Sequence, residues 1–361
     1  MEQMKSIGVG IIGLGRAGVQ MHLHELSKYP EMYHVAACCD ILPERVENFR
    51  SKCPDAVGYS NADDLISDPR VELVSVVSPS RFHVSMACKA LAAGKFVFLE
   101  KPFALSREGA ERLKKADEMF PGKLFFRHNR RFEACFSHVQ EVIRSGILGD
   151  VFEIKLRRLR HRFRDDWQTL LDCGGGQLNN WGPHLIDQSL QFLNYEVESI
   201  FSDLKRIAAR GDAEDHIKIV FRGKNGMIVD MEISDAVTLD EPVISVYGTR
   251  GSLVSYDEQK LKMRYLAPSY EVVECGARRE APPLEGANIY ETMTPPDWIE
   301  EEIPVAPRSG YDMWNIYEYL HAALCGTHPF AVKNREAFAT VETTLKIREQ
   351  HPEFACAGDI L

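Results

Sequence analysis

The chain has 361 residues, of which 45% are apolar and 27% charged, and its net charge is −10. This length predicts two domains with sizeable cores, and the acidic balance excludes the basic footprint that non-specific nucleic-acid binding requires. No apolar run is long enough to cross a bilayer, and nine scattered cysteines without a CxxC pair predict free thiols in a reducing cytoplasm.

Residues 1–127 alternate short β-type runs with amphipathic stretches, which predicts a doubly wound parallel sheet with crossover helices. Near-continuous apolar runs such as LVSVV suit strands that are covered on both faces. The predicted strands are Ile7–Ile12, His34–Cys39, Leu73–Val77, Phe96–Leu99 and Leu124–Arg127. The predicted helices are Ala17–Lys28, Val84–Ala93 and Arg107–Phe120.

Longer β-type runs separated by turns such as Asn225-Gly226 follow, so residues 128–361 are predicted to form an α+β domain with a mostly antiparallel open sheet. A helix is predicted over Phe132–Ser145, ending at Gly146. The predicted strands are Val151–Arg160, Val197–Leu204, Ile217–Phe221, Met227–Ile233 and Val243–Tyr247. The last predicted elements are a surface excursion over Gly276–Gly310 with a strand near Trp298–Ile303, and the helices Asp312–Leu324 and Arg335–Glu349.

Gly13, Gly15 and Gly18 directly follow the first predicted strand and begin the first predicted helix. In a dinucleotide-binding turn these glycines permit the turn, the approach of the pyrophosphate and the packing of helix on strand, respectively. The helix N-terminus also offers free N–H groups to the phosphates, so Arg16 and Ala17 are predicted to contact the cofactor too. The segment therefore predicts a Rossmann domain.

Asp40 ends the second predicted strand, about 20 residues after the glycine loop. A carboxylate there accepts hydrogen bonds from the ribose hydroxyls and repels a 2′-phosphate. The sequence therefore favours NAD over NADP, although the neighbouring Arg45 weakens this preference.

Several motifs together resemble those of the Gfo/Idh/MocA oxidoreductase family. They are GLGRAG at Gly13–Gly18, Ser78-Pro79, Glu100-Lys101-Pro102, GGGQLNNWGPHLIDQ at Gly174–Gln188 and VYGTRGSL at Val246–Leu253. The resemblance runs through nearly the whole chain and implies a Rossmann domain (1–127), a substrate-binding and oligomerisation domain (128–361), and activity on sugars, inositols or related cyclic alcohols. It also implies a homo-oligomer, either a dimer or a tetramer.

The resemblance further implies that Lys101 and His184 are catalytic. It places Ser78 and Pro79 beside the nicotinamide, and we predict that the neighbouring His83, Glu100 and Pro102 also belong to the cofactor site. One position departs from the family, which usually carries an aspartate where this chain has Asn180. An asparagine positions a hydroxyl but holds no negative charge beside an imidazolium.

Hydride loss from a carbinol requires removal of the hydroxyl proton, for which a histidine with a pKa near 6.5 is suited. The Lys101 ammonium would stabilise the developing alkoxide. Glu100 either orients that lysine or is solvated, and Asp187 either binds substrate or orients His184. Lys101 also follows a strand end, where ligands of such sheets gather.

An arginine cluster surrounds His161 and precedes Trp167; it comprises Arg157, Arg158, Arg160, Arg162 and Arg164. Alternate strand residues share a face, so Arg158, Arg160 and Arg162 are predicted to point the same way. Either they recognise an anionic sugar such as a uronate, or they form solvated or ion-paired surface. Trp167 either stacks on a sugar ring or packs in the core.

His22 and His24 are two residues apart and do not share a helix face, so no metal site is predicted. The preferred function is an NAD-dependent sugar or cyclitol dehydrogenase. Two alternatives remain. One is an enzyme with tightly held NAD that cleaves glycosides through transient oxidation, and the other is a non-catalytic NAD-binding regulatory protein, which Asn180 motivates.

Overall fold

The computed structural model of the chain describes residues 6–271, 279, 296–306 and 312–361. Its first sheet contains the strands β1 (Ile7–Ile12), β2 (Tyr33–Cys39), β3 (Val57–Tyr59), β4 (Leu73–Val76), β5 (Phe96–Leu99) and β6 (Leu124–Phe126). All are parallel, in the order β3-β2-β1-β4-β5-β6. The order reverses between β1 and β4, which is where such sheets bind ligands at the carboxyl ends of the strands.

Helices connect these strands and cover both faces of the sheet. A π-helical segment, Gly18–Leu23, continues directly into α1 (His24–Leu26). The following helices are α2 (Pro43–Lys52), α3 (Ala62–Ser67), α4 (His83–Ala92) and α5 (Arg107–Met119). Because helices cover both faces, every residue of β4 is buried, including Ser75, whose hydroxyl lies 2.8 Å from that of Tyr317.

The second sheet has eight strands, and its helices lie on one side. The first elements are α6 (Ala134–Ser145), β7 (Val151–Leu159), α7 (Gln177–Asn180), α8 (Gly182–Phe192), β8 (Val197–Lys205), β9 (His216–Gly223) and β10 (Ile228–Ser234). The remaining elements are β11 (Ile244–Gly248), β12 (Gly251–Ser255), β13 (Lys260–Leu266), β14 (Trp298–Pro304), α9 (Ile316–Leu324) and α10 (Asn334–Glu349). The order is β14-β13-β12-β11-β7-β10-β9-β8, with only the central β7–β10 pair parallel.

The division of the chain in space differs from its division in sequence. The first hydrophobic core contains the parallel sheet, but also Ile316, Tyr317 and Leu320 of α9 and Val341 of α10. The second core lies between the antiparallel sheet and the helices α6 and α8. The predicted second segment, 128–361, therefore returns to the first core near its end. The helix α10 contributes Val341 to the first core and Ile347 to the second, so it connects the two cores.

The predicted fold class, a Rossmann sheet followed by an α+β domain, is confirmed. The helix that ends at Gly146 is confirmed by the positive φ of that glycine, 74°. The sequence pattern does not predict α2, α3 or β3. The strand expected near Trp298–Ile303 is present, whereas most of the predicted excursion over Gly276–Gly310 lies outside the described residues.

Within the described ranges, no helix is long and apolar enough to cross a membrane. The eight cysteines in those same ranges are free thiols.

Candidate active site

A cleft of about 770 Å³ opens between the carboxyl edge of the parallel sheet and the second domain. The predicted site residues that line it are Arg16, Ala17, Ser78, His83, Glu100, Lys101, Arg160, Trp167, Asn180 and His184. Those outside the lining are Gly13, Gly15, Gly18, Asp40, Pro79, Pro102 and Asp187. The structure thus brings together residues that lie more than 160 positions apart in the sequence (Arg16 and His184).

The glycine loop has the geometry that a bound dinucleotide requires. Gly13 has a φ of 100°, and a Cβ there would lie 2.5 Å from the Val77 carbonyl oxygen. A Cβ on Gly18 would lie 2.2 Å from the Gly13 oxygen, so only glycine allows the helix to pack this closely. Gly15, in contrast, has no atom within 4 Å of a built Cβ, which leaves open space where a pyrophosphate approaches.

Asp40 is fixed beside this loop at the end of β2. Its Oδ2 accepts the backbone N–H of Leu14 at 2.9 Å, and its Oδ1 accepts that of Leu42 at 3.1 Å. Arg45 Nη1 lies 3.4 Å from the same Oδ2. Backbone donors therefore position the carboxylate rigidly where a ribose would reach it.

His83 links the two loops that follow β4 and β5. Its Nδ1 lies 2.7 Å from the Pro102 carbonyl oxygen and its Nε2 lies 2.8 Å from the Ser78 carbonyl oxygen. Burial lowers the pKa of His83, although these carbonyls oppose the shift, so the imidazole is neutral and donates to one of them at a time. The Ser78 hydroxyl is buried and has no partner in the described part of the chain, which suits a group that meets a cofactor.

Lys101 lines the cleft from a loop whose Lys101–Pro102 peptide bond is cis. Its ammonium donates to the backbone oxygen of Asn180 at 3.0 Å and to the side-chain Oδ1 of the same residue at 3.4 Å. Burial lowers the pKa of Lys101 to about 8; Glu100 opposes this shift, and Arg164 adds to it. The lysine therefore exchanges its proton much nearer to neutral pH than a surface lysine does.

A buried ion network contacts the Lys101 loop. We define it as the side chains of Arg127, Glu25, Glu100 and His22. Arg127 is 1% exposed and donates to both carboxylates, at 2.7 Å in the case of Glu100. His22 Nε2 lies 3.2 Å from Glu100, and its Nδ1 lies 2.7 Å from the hydroxyl of Tyr317. Of the two roles considered for Glu100, this network favours the orientation of the loop, since Glu100 also accepts the Lys101 backbone N–H at 3.1 Å.

Burial opposes the ionisation of Glu100, but Arg127, His22 and Lys101 together hold its pKa below the usual range. Burial raises the pKa of Glu25 to about 7, and there Arg127 only opposes the shift. The single guanidinium thus keeps Glu100 charged and leaves Glu25 able to carry a proton near neutral pH.

His184 lies in the same cleft, near the start of α8 and next to Trp181, whose ring centre is 5.8 Å away. Burial, followed by the charges of Lys101 and Arg130, holds the pKa of His184 well below its usual value. Its imidazole is therefore neutral at physiological pH. The buried Nδ1 has no hydrogen-bond partner among the described residues.

Asp187 does not match either of its predicted roles. It is 1% exposed and lies behind the cleft wall, where Arg131 donates to its carboxylate through Nε at 2.8 Å and Nη2 at 2.6 Å. Gln191 donates at 2.9 Å, and Thr340 of α10 lies 3.4 Å away. Three residues after His184 on the same helix, Asp187 joins α8 to its neighbours and contacts neither the cleft nor the His184 ring.

All five arginines of the cluster form ion pairs, and three of them also line the cleft. Arg160 and Arg162 both line the cleft and donate through Nε to the same Asp235 oxygen, each at 2.9 Å. Arg164 also lines the cleft and forms a two-point pair with Asp166, at 2.8 Å for each bond. The guanidinium of Arg160 also lies 6.0 Å from the Trp181 ring centre.

Arg158 and Arg157 lie outside the cleft lining. Arg158 pairs with Glu258, and its guanidinium is 5.3 Å from the Trp181 ring centre. Arg157 pairs with Asp230 on the neighbouring strand at 2.6 Å.

The lining residues that sequence reasoning missed include Arg130, Trp181 and Trp314. Trp181 stands next to the recognised Gly182–His184 segment, so its position was a usable signal. Arg130 stacks over Trp181 at 4.4 Å from the ring centre, but nothing in its local sequence indicates this. The described residues contain no group of three or more His, Cys, Asp or Glu side chains that would hold a metal ion.

Comparison with known proteins agrees with this geometry. The family model for the NAD-binding Rossmann fold of Gfo/Idh/MocA oxidoreductases matches residues 7–121, and the model for their C-terminal domain matches residues 136–254. The chain is 30% identical to the Thermotoga maritima myo-inositol 2-dehydrogenase over 258 residues, covering 68% of this chain and 74% of that one. It is 31% identical to a Bacillus subtilis scyllo-inositol 2-dehydrogenase (NADP(+)) over 190 residues, covering 52% of each.

Among solved structures, an NAD-binding protein from Listeria innocua shares the fold. The TM-score is 0.80 at 23% identity, covering 96% of this chain and 97% of that one. With both of its domains matched, this chain belongs to the Gfo/Idh/MocA family of oxidoreductases.

Proposed function

We propose that this chain is an NAD-dependent dehydrogenase that transfers a hydride between the nicotinamide and a ring carbinol of a sugar, sugar acid or cyclitol. The observation that carries the proposal is the meeting of Lys101 and His184 in one cleft beside the glycine loop. The names of the two inositol dehydrogenases among the relatives support the same substrate class.

The two side chains have complementary protonation states for this reaction. A bound nicotinamide supplies the hydride acceptor. His184 takes the hydroxyl proton, because its low pKa keeps the imidazole neutral near pH 7. The Lys101 ammonium donates a hydrogen bond to the same oxygen and stabilises the negative charge that develops there.

Asn180 positions the lysine and does not serve as a charge partner. Its two oxygens hold the Lys101 ammonium from one side, at 3.0 and 3.4 Å. An amide carries no charge, so the negative charge that favours the ammonium comes from the buried Glu100. The replacement of the family's aspartate therefore leaves the catalytic pair intact and removes a charge beside it.

The proposed cofactor is NAD. Asp40 is held at the end of β2 by two backbone N–H groups, and a carboxylate at that position repels the 2′-phosphate of NADP. The Bacillus subtilis relative carries NADP(+) in its name, so both cofactors belong in any assay.

The test is a panel of sugars, uronates, inositols and their keto forms, assayed with both nicotinamide cofactors by absorbance of the reduced form. We expect turnover with NAD(H) that Lys101→Met abolishes while cofactor binding remains. Leaving-group release from a chromogenic glycoside without added NAD would identify the glycoside-cleaving alternative instead. Cofactor binding without turnover of any compound would identify the regulatory one.

We also propose a homo-oligomer, either a dimer or a tetramer, and a cytoplasmic location, as the family resemblance and the free thiols imply. Sedimentation equilibrium of the purified chain measures the first directly. A monomer at micromolar concentration would contradict it.

A further inference from the structure

Two arginines on the substrate side of the cleft share a single counter-charge. Arg160 and Arg162 each donate through Nε to Asp235 Oδ1 at 2.9 Å, so their Nε atoms lie within twice that distance of each other. The other oxygen of Asp235 accepts the side-chain amide of Gln177. One carboxylate therefore faces two guanidinium ions, and one positive charge stays uncompensated within the group.

The outer nitrogens of this pair are available for a ligand. The two side chains are 41% and 37% exposed, and both line the cleft. Among the described residues, no acceptor lies within hydrogen-bonding distance of the Nη atoms of Arg160 or Arg162. Burial lowers the pKa of Arg162; Asp235 opposes this shift and Arg160 adds to it, as expected for crowded like charges.

Two other arginines on the substrate side of the cleft have carboxylates of their own. Arg164 pairs with Asp166, and Arg130 pairs with Glu133. Among the described residues, the only acidic side chain in the cleft lining is Glu100, which Arg127 neutralises. On this side of the cleft, an entering anion therefore finds its unshared guanidinium donors at Arg160 and Arg162, whereas Arg16 belongs to the glycine loop.

This pair lies at the reacting end of the cleft and away from the cofactor's phosphates. The pyrophosphate belongs to the glycine loop, where Arg16 is exposed in the lining. Arg162, in contrast, lines a smaller recess together with Asn180, the residue whose oxygens hold the Lys101 ammonium. A group bound by the arginine pair thus belongs to the molecule that reacts beside Lys101.

We propose that the substrate carries an anionic group, a carboxylate or a phosphate, and that Arg160 and Arg162 bind it while the ring carbinol faces Lys101. Guanidinium forks match both oxyanions in geometry, and the bonds are charge-assisted. Trp181 packs against His184, and its ring centre lies 6.0 Å from the Arg160 guanidinium, so this ring connects the arginine pair to the catalytic histidine. This proposal rests on the proposed dehydrogenase function and specifies its substrate class.

A binding measurement tests the arginine pair without knowledge of the sugar. Inorganic phosphate is titrated into the protein loaded with NADH, and the fluorescence of the cleft tryptophans is followed. We expect saturable binding that Arg160→Gln or Arg162→Gln weakens roughly 10- to 100-fold, as for loss of a charge-assisted hydrogen bond. The control Arg144→Gln removes the same charge from α6, where Arg144 donates to the Gln140 backbone oxygen at 3.1 Å, and should leave binding unchanged.

A kinetic measurement then tests the anionic substrate separately from the proposed dehydrogenase function. Glucose, glucuronate and glucose 6-phosphate are compared, with the galactose series alongside, and the uronate and phosphate arms identify the anion. We expect the best anionic substrate to exceed its neutral parent roughly tenfold or more in kcat/KM, with Arg162→Gln removing most of that preference.

The contrary outcomes are distinct. If neutral sugars react best and the arginine variants lower all substrates equally, the anionic substrate is excluded while the dehydrogenase stands. If nothing is turned over although NADH binds, the proposed function fails, and the phosphate titration still decides the binding site. Phosphate binding that is absent, or unchanged in both arginine variants, overturns the anion site itself.

Discussion

Two clusters of charge border the cleft, and they are built in opposite ways. In the buried ion network, one guanidinium, that of Arg127, lies between two carboxylates, and all the side chains are nearly inaccessible. In the arginine pair, two guanidinium ions share Asp235 and remain more than a third exposed. The first arrangement leaves no guanidinium charge uncompensated, whereas the second leaves donors for a ligand.

The comparison shows that residue type alone does not assign a role to a cleft arginine. The count of carboxylates and the exposure of the outer nitrogens separate a supporting arginine from a binding one. Lys101 contacts the buried ion network through its backbone N–H, which Glu100 accepts. Its ammonium donates to Asn180, which lines a recess together with Arg162.

The largest effect on activity is expected from substitution of Lys101. Lys101→Met should lower kcat/KM by roughly 10³- to 10⁴-fold, because the developing alkoxide loses its charged donor. Asn180→Ala should cost only about tenfold, since the backbone oxygen at 3.0 Å remains and only the longer 3.4 Å contact is lost. Steady-state kinetics with NADH binding as control measures both. Equal losses would contradict the secondary role assigned to Asn180.

The next largest effect is expected when the buried ion network loses its arginine. Arg127→Met should destabilise the fold by about 3–5 kcal/mol, because Glu25 and Glu100 would stay buried without their cation. The matched control is Arg107→Met, which removes an exposed ion pair with Glu349 and should shift the urea midpoint far less. Similar midpoints for the two variants would mean that the network contributes little to the fold.

Local sequence was sufficient for the parts of the site that depend on one loop. The glycine positions and the Glu100–Pro102 loop follow directly from strand ends, so β1 and β5 are predicted with the bounds observed. In contrast, α2 buries only Phe49, which leaves no apolar period for a pattern to reveal.

The charge clusters depend on contacts between distant parts of the chain. His22 meets Tyr317 of α9, and Arg160 meets Asp235 of the loop after β10, with no local signal at either partner. The prediction for Asp187 fails for the same reason: Arg131, 56 residues earlier, takes its carboxylate. The arginine-rich stretch is visible in the sequence. That Arg160 and Arg162 share one carboxylate while Arg164 has its own is visible only in the structure.

Within the buried ion network, the carboxyl groups of Glu25 and Glu100 should respond differently to pH. Burial raises the pKa of Glu25 to about 7, so its stabilising proton is fully held below the unfolded pKa of about 4.3 and lost as pH rises through 7. Glu25→Gln removes this dependence, so we expect the variant to gain about 3 kcal/mol relative to the parent chain between pH 4.5 and 7.5. Urea unfolding across that range measures it.

Glu100→Gln serves as the comparison for that measurement. The pKa of Glu100 is held below its usual range, so its carboxylate is ionised throughout the same interval. Its removal should destabilise the chain at every pH in the series. A Glu25→Gln variant that instead loses stability as pH rises would place the charged form of Glu25 in the folded state.

The smallest expected effect is that of the Arg164 charge on the pKa of Lys101, and therefore on the pH profile of activity. Activity in the oxidation direction should fall above about pH 8, because the Lys101 ammonium loses its proton there. Burial sets this low pKa, Glu100 opposes it and the charge of Arg164 adds to it, so Arg164→Gln should raise the pKa and move the alkaline limb upward. We expect a shift of about a few tenths of a pH unit in kcat/KM, since the charge acts partly through solvent. Arg144→Gln, outside the cleft, should leave the limb in place. Activity that increases through pH 8 would assign the lysine to proton removal in place of His184, because a base gains activity as it loses its proton.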